Sequence, residues 1–227
     1  MNIRRFAVCL CFLFATEFVA MTSANADETL TLGVFAYRPD DVLRERYQPL
    51  TDYLTLETGI QIELEILNQE NMSRAIAANR LDFFLTNPSH FLLIRSERSL
   101  TGVLATLVRR SGQSATGSLG GVIFTRAERD DIEQLADIRD KTIASPGVHF
   151  LGGYQTQVLE LMDAGIDIRR VNLIRFMGTH DRVVRSVLSG DADVGFIRTS
   201  ILEQMAQEDP DLFTRVKVLN RQRLAGF

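Results

Sequence analysis

Residues 72–87 read MSRAIAANRLDFFLTN, and residues 182–198 read RVVRSVLSGDADVGFIR. Matched on Asp82 and Asp193, the two stretches lie 111 positions apart. Each begins as an amphipathic helix and ends it on a residue that tolerates left-handed backbone, Asn79 or Gly190. The aspartate follows three residues later and leads into an apolar strand, Phe83-Phe84-Leu85 or Val194-Gly195-Phe196. Each strand then runs out into a polar residue, Asn87 or Arg198. Any two αβ units share some of this rhythm. The agreement of cap, aspartate and strand at one offset predicts more: two similar α/β lobes presenting strand ends to a common crevice. Open α/β sheets bind ligands outside the carboxyl ends of their strands.

The flanking sequence extends the pattern in both directions. Residues 29–37 (TLTLGVFAY) read as a strand that closes at Arg38-Pro39. Asp40 and Asp41 can cap the helical stretch that follows, which Gly59 stops and Pro49 should kink or restart. Residues 61–67 (QIELEIL) alternate polar and apolar, as a half-buried strand does. Strands and helices continue in alternation, which predicts a mostly parallel sheet. The Ser/Gly-rich run 111–121 (SGQSATGSLGG) reads as a mobile turn between two strands, near the crossing between lobes. Residues 129–141 (RDDIEQLADIRDK) predict a helix, followed by a strand into SPGVHFLGGYQ at 145–155. Bare backbone at such a strand-to-helix junction serves either to hold an anion or to make a tight turn, and both readings stand.

The first 26 residues read as a signal peptide rather than as part of the fold. Arg4 and Arg5 precede an apolar stretch from Phe6 to Ala15, and Ala24-Asn25-Ala26 offers a cleavage site before Asp27. Removal leaves 227 − 26 = 201 residues, enough for two lobes, exported to the periplasm. It takes away Cys9 and Cys11, the sequence's two cysteines, so thiol chemistry is excluded. It also removes Arg4, Arg5 and Glu17, moving the formal charge from −4 to −5. An acidic chain without a basic run predicts no nucleic-acid partner.

Three histidines remain, His90, His149 and His180, each at a strand-to-helix junction. A trihistidine metal site in a periplasmic metal-binding protein is the alternative reading, although no HxH or HExxH is present. There is no GxSxG elbow and no Walker or GxGxxG loop, so the residues read as a non-enzymatic protein without a cofactor.

Taken in order, the strand ending in Tyr37, YQPLTDYLTLETG, LDFFLTNPSHF, the SPGxxxxGG turn and GTHDRVVRSVLSGDADVGF resemble the phosphonate-type periplasmic solute-binding proteins. The resemblance implies a two-lobe type 2 periplasmic-binding fold of α/β class that closes over a small oxyanion. It implies a cleft lined by Tyr37, by Asn87 and His90, by Ser145, Gly147, His149 and Tyr154, and by Thr179, His180 and Asp181. Arg198 and GFIRTSILE resemble the sensory branch found as input domains of tetrathionate-type sensor histidine kinases. The expected ligand is a phosphonate, a phosphate-like anion or a sulfur oxyanion, gripped by Arg198, histidine and backbone N–H groups. The expected partner is an ABC permease or a sensor histidine kinase. The expected division is a signal peptide at 1–26, lobe one at 27–110, lobe two at 111–216 and a returning hinge from 217. Family members continue past such a hinge, so the C-terminal part of lobe one is expected to be missing.

Overall fold

A computed structural model of the chain describes residues 29–111, 114–168 and 173–220. The signal segment and residues 221–227 lie outside the described residues. In the first lobe, β1 (Thr29–Phe35), β2 (Gln61–Leu67) and β3 (Phe83–Leu85) form a parallel sheet of order β2-β1-β3. Helices α1 (Asp40–Thr58) and α2 (Gln69–Ala77) connect its strands, and α3 (Pro88–Glu97) follows β3. Strand β1 is central, and its last four residues, Leu32 to Phe35, are buried. A short antiparallel hairpin, β4 (Arg109–Ser111) with β5 (Ser114–Thr116), stands between the lobes in sequence.

The second lobe holds β6 (Gly121–Arg126), β7 (Ile143–Ser145), α4 (Thr156–Asp163), β8 (Ile174–Phe176), α5 (His180–Leu188) and β9 (Val194–Arg198). Two short helices, α6 (Ile201–Met205) and α7 (Leu212–Arg215), lead to β10 (Val216–Val218). The sheet order is β10-β6-β9-β7-β8, with β7 parallel to β8 and β9, and β6 antiparallel to β9 and β10. The second sheet is therefore mixed, whereas alternation alone suggested parallel pairing. Every residue of β9 is buried, because it lies inside the sheet with helices covering it. Gly195 makes this possible: a Cβ there would sit 2.2 Å from the ring of Phe124, which lies across the strand.

The repeated segment folds twice in the same way. Asn79 and Gly190 both adopt left-handed backbone, with φ of 53° and 86°. Asp82 N–H donates to Thr31 O at 3.1 Å, and its carboxylate accepts from Thr31 N–H at 2.8 Å. Asp193 repeats this clasp on Thr142, at 2.9 and 2.8 Å. Each aspartate thus ties the start of its own strand to the neighbouring parallel one, at Thr31 within β1 and at Thr142 just before β7. That is why the residue recurs at a matched place in both lobes.

Besides the mixed sheet, two further expectations are corrected by the structure. Pro49 neither ends α1 nor starts a second helix. The helix continues through it, and side chains just beyond it bond locally: Thr51 Oγ1 donates to Gln48 O, and Gln48 Nε2 donates to Asp52. Residues 129–141 hold only one 3-10 turn, Leu135–Ile138. Asp137 accepts from the N–H groups of Glu133 and Gln134, and Asp131 is engaged by Arg129 and Lys141. The charged side chains stabilise the turn instead of a helical face.

One hydrophobic cluster runs through both lobes. Leu43, Tyr47 and Val34 of the first lobe share it with Val183, Ile201 and Leu202 of the second. A second cluster lies within the second lobe, around Ile123, Ile143, Leu161 and Phe196. The lobes therefore meet through apolar packing as well as polar contacts.

The clasp predicts a difference between the two aspartates. Burial alone would raise the Asp193 carboxyl, but hydrogen bonds from Arg129 and Thr142 N–H hold it below the usual carboxylate range. A depressed native value means the stabilisation is complete above the ordinary carboxylate pKa and is lost as pH falls through the native one. Asp193→Asn should lower stability at pH 7 by about 1–2 kcal/mol. Asp82→Asn should cost less, because Asp82 is exposed. In urea melts, the Asp193→Asn deficit should shrink below about pH 4. A deficit independent of pH would show that charge plays no part in the clasp.

Candidate functional site

The carboxyl ends of β1, β2, β7 and β8 open onto a cleft of about 330 Å³ between the lobes. Phe35 and Ala36 line it at the end of β1, and Asn68, Gln69 and Glu70 at the start of α2. The second lobe contributes Pro146 to Phe150, with Phe176 and Gly178. The Asn68 side chain caps α2 by accepting from Asn71 N–H at 2.8 Å. An α-helix leaves its first N–H groups without intrahelical acceptors, and Gln69 and Glu70 occupy those positions here.

The glycine-rich turn divides between the two readings open in the sequence. Gly147 and His149 line the cleft. Gly152 and Gly153 belong to a π-helical turn, Leu151–Gln155, that runs directly into α4. A Cβ on Gly152 would lie 2.8 Å from Arg198 Cβ, and one on Gly153 would lie 2.8 Å from His180 Cε1. These two glycines therefore admit protein neighbours rather than a ligand. Ser145, fully buried, closes the turn by donating from Oγ to Gly153 O at 2.9 Å. Tyr154 is buried edge-on against Phe176, with ring centroids 5.7 Å apart.

Behind the cleft, the lobes meet at Tyr37, Arg38, His180, Asp181 and Arg198. Arg38 donates from Nε and Nη2 to the two carboxylate oxygens of Asp181, at 3.0 and 2.8 Å. Burial alone would lower the Arg38 guanidinium, but its bonds to Asp181 outweigh this and raise it. The backbone N–H of His180 donates to Tyr37 O at 3.1 Å, and its ring stands edge-on to Phe150 at 5.5 Å. Arg198 lies over the Tyr37 ring, 4.6 Å from its centroid, and donates from Nη1 to Thr199 O. Burial alone would push the Tyr37 phenol up, but the Arg198 charge, the Tyr47 hydroxyl and Arg46 hold it below the ordinary value. Thr179 caps α5 by accepting from Arg182 N–H.

Sequence reasoning missed Arg38, which reads there only as the end of a strand. For Asp181 the resemblance implied a place in the cleft lining. It is instead the carboxylate that meets Arg38, a pairing across 143 positions that no local pattern announces.

In the first lobe, Asn87 caps α3, accepting from His90 N–H at 3.1 Å through Oδ1. That bond fixes the amide orientation. Its Nδ2 is buried and has no hydrogen-bond partner among the described residues. The same first turn of α3 reaches the other lobe, where Ser89 Oγ donates to Gln155 Oε1 at 2.6 Å. His90 itself is buried, with Nδ1 2.8 Å from Thr86 Oγ1 and Nε2 2.9 Å from Ser73 Oγ. The three histidines thus occupy different surroundings: His90 among hydroxyls, His149 exposed at the cleft, His180 buried behind Phe150. Among the described residues, no group of three His, Cys, Asp or Glu side chains is placed to hold a metal ion.

The His90 environment has a consequence for stability. Burial, and then the neighbouring His149, push its imidazole down to about 4. In the unfolded chain the ring titrates near its ordinary value of about 6.5. Between those values the unfolded chain takes up a proton that the folded chain refuses, so stability falls as pH falls. The contribution should reach about 3 kcal/mol across that window and level off below it. Urea melts of wild type and His90→Gln at several pH values check this. The variant should lose the slope between about pH 6.5 and 4; an unchanged slope would mean the native ring ionises freely.

Comparison with known proteins bears on the whole arrangement. Residues 32–225 match the family described as "ABC transporter, phosphonate, periplasmic substrate-binding protein". The tetrathionate sensor histidine kinase TtrS of Salmonella typhimurium is 27% identical over 182 residues, covering 79% of this chain and 31% of that protein. The phosphate-import protein PhnD of Mycolicibacterium smegmatis is 21% identical over 199 residues, covering 84% and 61%. The chain thus spans about a third and three fifths of the length of these relatives. Among solved structures, a binding protein of an ABC phosphonate transporter from Pseudomonas aeruginosa superposes with TM-score 0.73 at 12% identity, covering 88% of this chain and 66% of that one. PhnD1 from Prochlorococcus marinus, solved with methylphosphonate, gives TM-score 0.72 at 16% identity, covering 87% and 74%. These likenesses establish the two-lobe fold. With a family match across nearly all of the described residues, the chain belongs to the phosphonate-type periplasmic substrate-binding proteins.

Proposed function

We propose that this protein captures a small oxyanion between its two lobes and reports the capture to a membrane partner, without catalysing a reaction. The observation that carries the oxyanion is Asn87 Nδ2, a buried donor lacking an acceptor among the described residues. Burying such a group unsatisfied is costly, and in this reading an oxygen of the bound anion is the acceptor that removes the cost. In this reading the anion enters the cleft, whose walls are mostly apolar, where the start of α2 and the 146–150 turn face each other from opposite lobes. Gly147 and His149 contact the ligand directly in this reading, and Arg198, stacked on Tyr37, supplies positive charge behind them. Tyr37, His90, Ser145, Tyr154, Thr179, His180 and Asp181 hold the lobes and turns in place.

The ligand is a phosphonate, phosphate or sulfur oxyanion. The partner is an ABC permease or a sensor histidine kinase, a reading supported by the ABC-transporter family match and by the likeness to a sensor histidine kinase. Residues 1–26 direct export and are cleaved before Asp27. Among the described residues, no helix is long and apolar enough to cross a membrane.

Asn87→Asp tests the reading with little structural change. Aspartate keeps the cap on α3, since its carboxylate still accepts from His90 N–H. It removes the donor and sets a negative charge against the ligand. Calorimetric titration with methylphosphonate, phosphate and tetrathionate should show binding of at least one by wild type. For that anion Asn87→Asp should be weaker by about 10- to 150-fold, with an unchanged melting temperature. Binding of none of the three, or undiminished affinity in the variant, would overturn it.

A further inference from the structure

Beside the apolar packing and the Arg198–Tyr37 stack, four hydrogen-bonded contacts among the described residues cross the seam between the lobes, and they differ greatly in how easily water replaces them. Arg46 Nη1 donates to Gln204 Oε1 at 2.8 Å, an exposed bond at the rim. Ser89 Oγ donates to Gln155 Oε1, a half-buried one. His180 N–H to Tyr37 O is a single backbone bond. The fourth contact is of another kind. The Arg38 and Asp181 side chains are 1% and 4% exposed and meet through two parallel hydrogen bonds. A planar guanidinium and a carboxylate in this fork satisfy each other's directional needs. The other carboxylate near Arg38 is Glu208 at 3.6 Å, which is 64% exposed and turned largely to solvent.

Separating the lobes at this point parts two ions that are buried and paired. Losing one partner of such a pair is far more damaging than losing a rim hydrogen bond. The pair also sits where closure is decided, Arg38 just past the end of β1 and Asp181 in the first turn of α5, with the Tyr37–His180 bond beside it.

We propose that Arg38 and Asp181 form an interlobe latch, the polar contact that most strongly sets how often the lobes open. Every contact in the latch is between protein atoms, so it goes beyond the oxyanion reading and does not depend on it. Asp181 is then a positioning residue, acting on ligand affinity through lobe closure rather than by touching the ligand. Opening the latch lets a ligand enter, and the fraction of time it stays shut sets the share of molecules already in the binding geometry.

Hydrogen exchange at the His180 amide, followed in the full chain without added ligand, reads the latch directly, because that N–H crosses the seam. In wild type it should be protected like the strand amides of β9. In Asp181→Asn its exchange should be on the order of 100-fold faster. Arg38→Lys keeps the charge but loses the fork, and should show an intermediate increase. Arg46→Ala, at the rim, should exchange as wild type does. Small-angle scattering should show a larger radius of gyration in Asp181→Asn than in wild type or Arg46→Ala, with Arg38→Lys between them. Fast exchange in wild type, full protection in Asp181→Asn, or equal opening in Arg46→Ala would each overturn the latch. Loss of cooperative folding in both Asp181→Asn and Arg38→Lys would also overturn it, by making the pair part of the fold itself.

Discussion

Burying a guanidinium between two lobes is tolerable only where its charge is met in place, and Asp181 meets Arg38 with both carboxylate oxygens. Much of the seam is arranged around that pair. Tyr37, next to Arg38, gives its carbonyl to His180 and its ring to Arg198. His180, next to Asp181, sets its ring against Phe150, which packs on Phe35 and lines the cleft. The cleft wall and the ion pair are therefore consecutive layers of one contact. A change in either is transmitted to the other through rigid aromatic packing.

The duplicated αβ unit explains how two sheets come to face each other with the same ends. Each copy sends a helix into an aspartate clasp and then a strand parallel to its neighbour. The clasp fixes where each strand starts, so the chain emerges from β3 and β9 toward the seam. There the copies diverge. The first continues through the Asn87 cap into α3, and the second ends in Arg198, whose side chain turns back over Tyr37. A shared scaffold thus delivers an amide donor from one lobe and a cation from the other.

Glycine has two separate uses in the 145–155 turn. Gly147 lies at the cleft, while Gly152 and Gly153 let the start of α4 approach Arg198 and His180 closely. Gln157 strengthens that approach from inside: its buried Nε2 lies within hydrogen-bond distance of the carbonyls of Val122, Gly152 and Ile197. The turn is held by β6 and β9 as well as by its own backbone, which suits an element that must keep its shape beside a cleft.

Much of this architecture is readable in the residue order, because its causes are local. Left-handed caps at Asn79 and Gly190, apolar strands of fixed length, and the capping ability of Asn87 and Thr179 depend on near neighbours in the chain. The periodic repeat of those features was enough to indicate α/β lobes and strand-end junctions. Other features depend on residues far apart in sequence. Pro49 stays inside α1 although its own residue type argues for a break, and β6 runs antiparallel to β9 and β10 because of where the chain re-enters the second sheet. The separate environments of three similar-looking histidines arise only when hydroxyls, rings or solvent are brought beside each. Arg38 meets Asp181 across 143 positions, and nothing in either neighbourhood specifies the other. Local backbone preference is written residue by residue, whereas burial and charge pairing belong to the folded chain as a whole, and those decided which polar groups face the cleft and which hold it together.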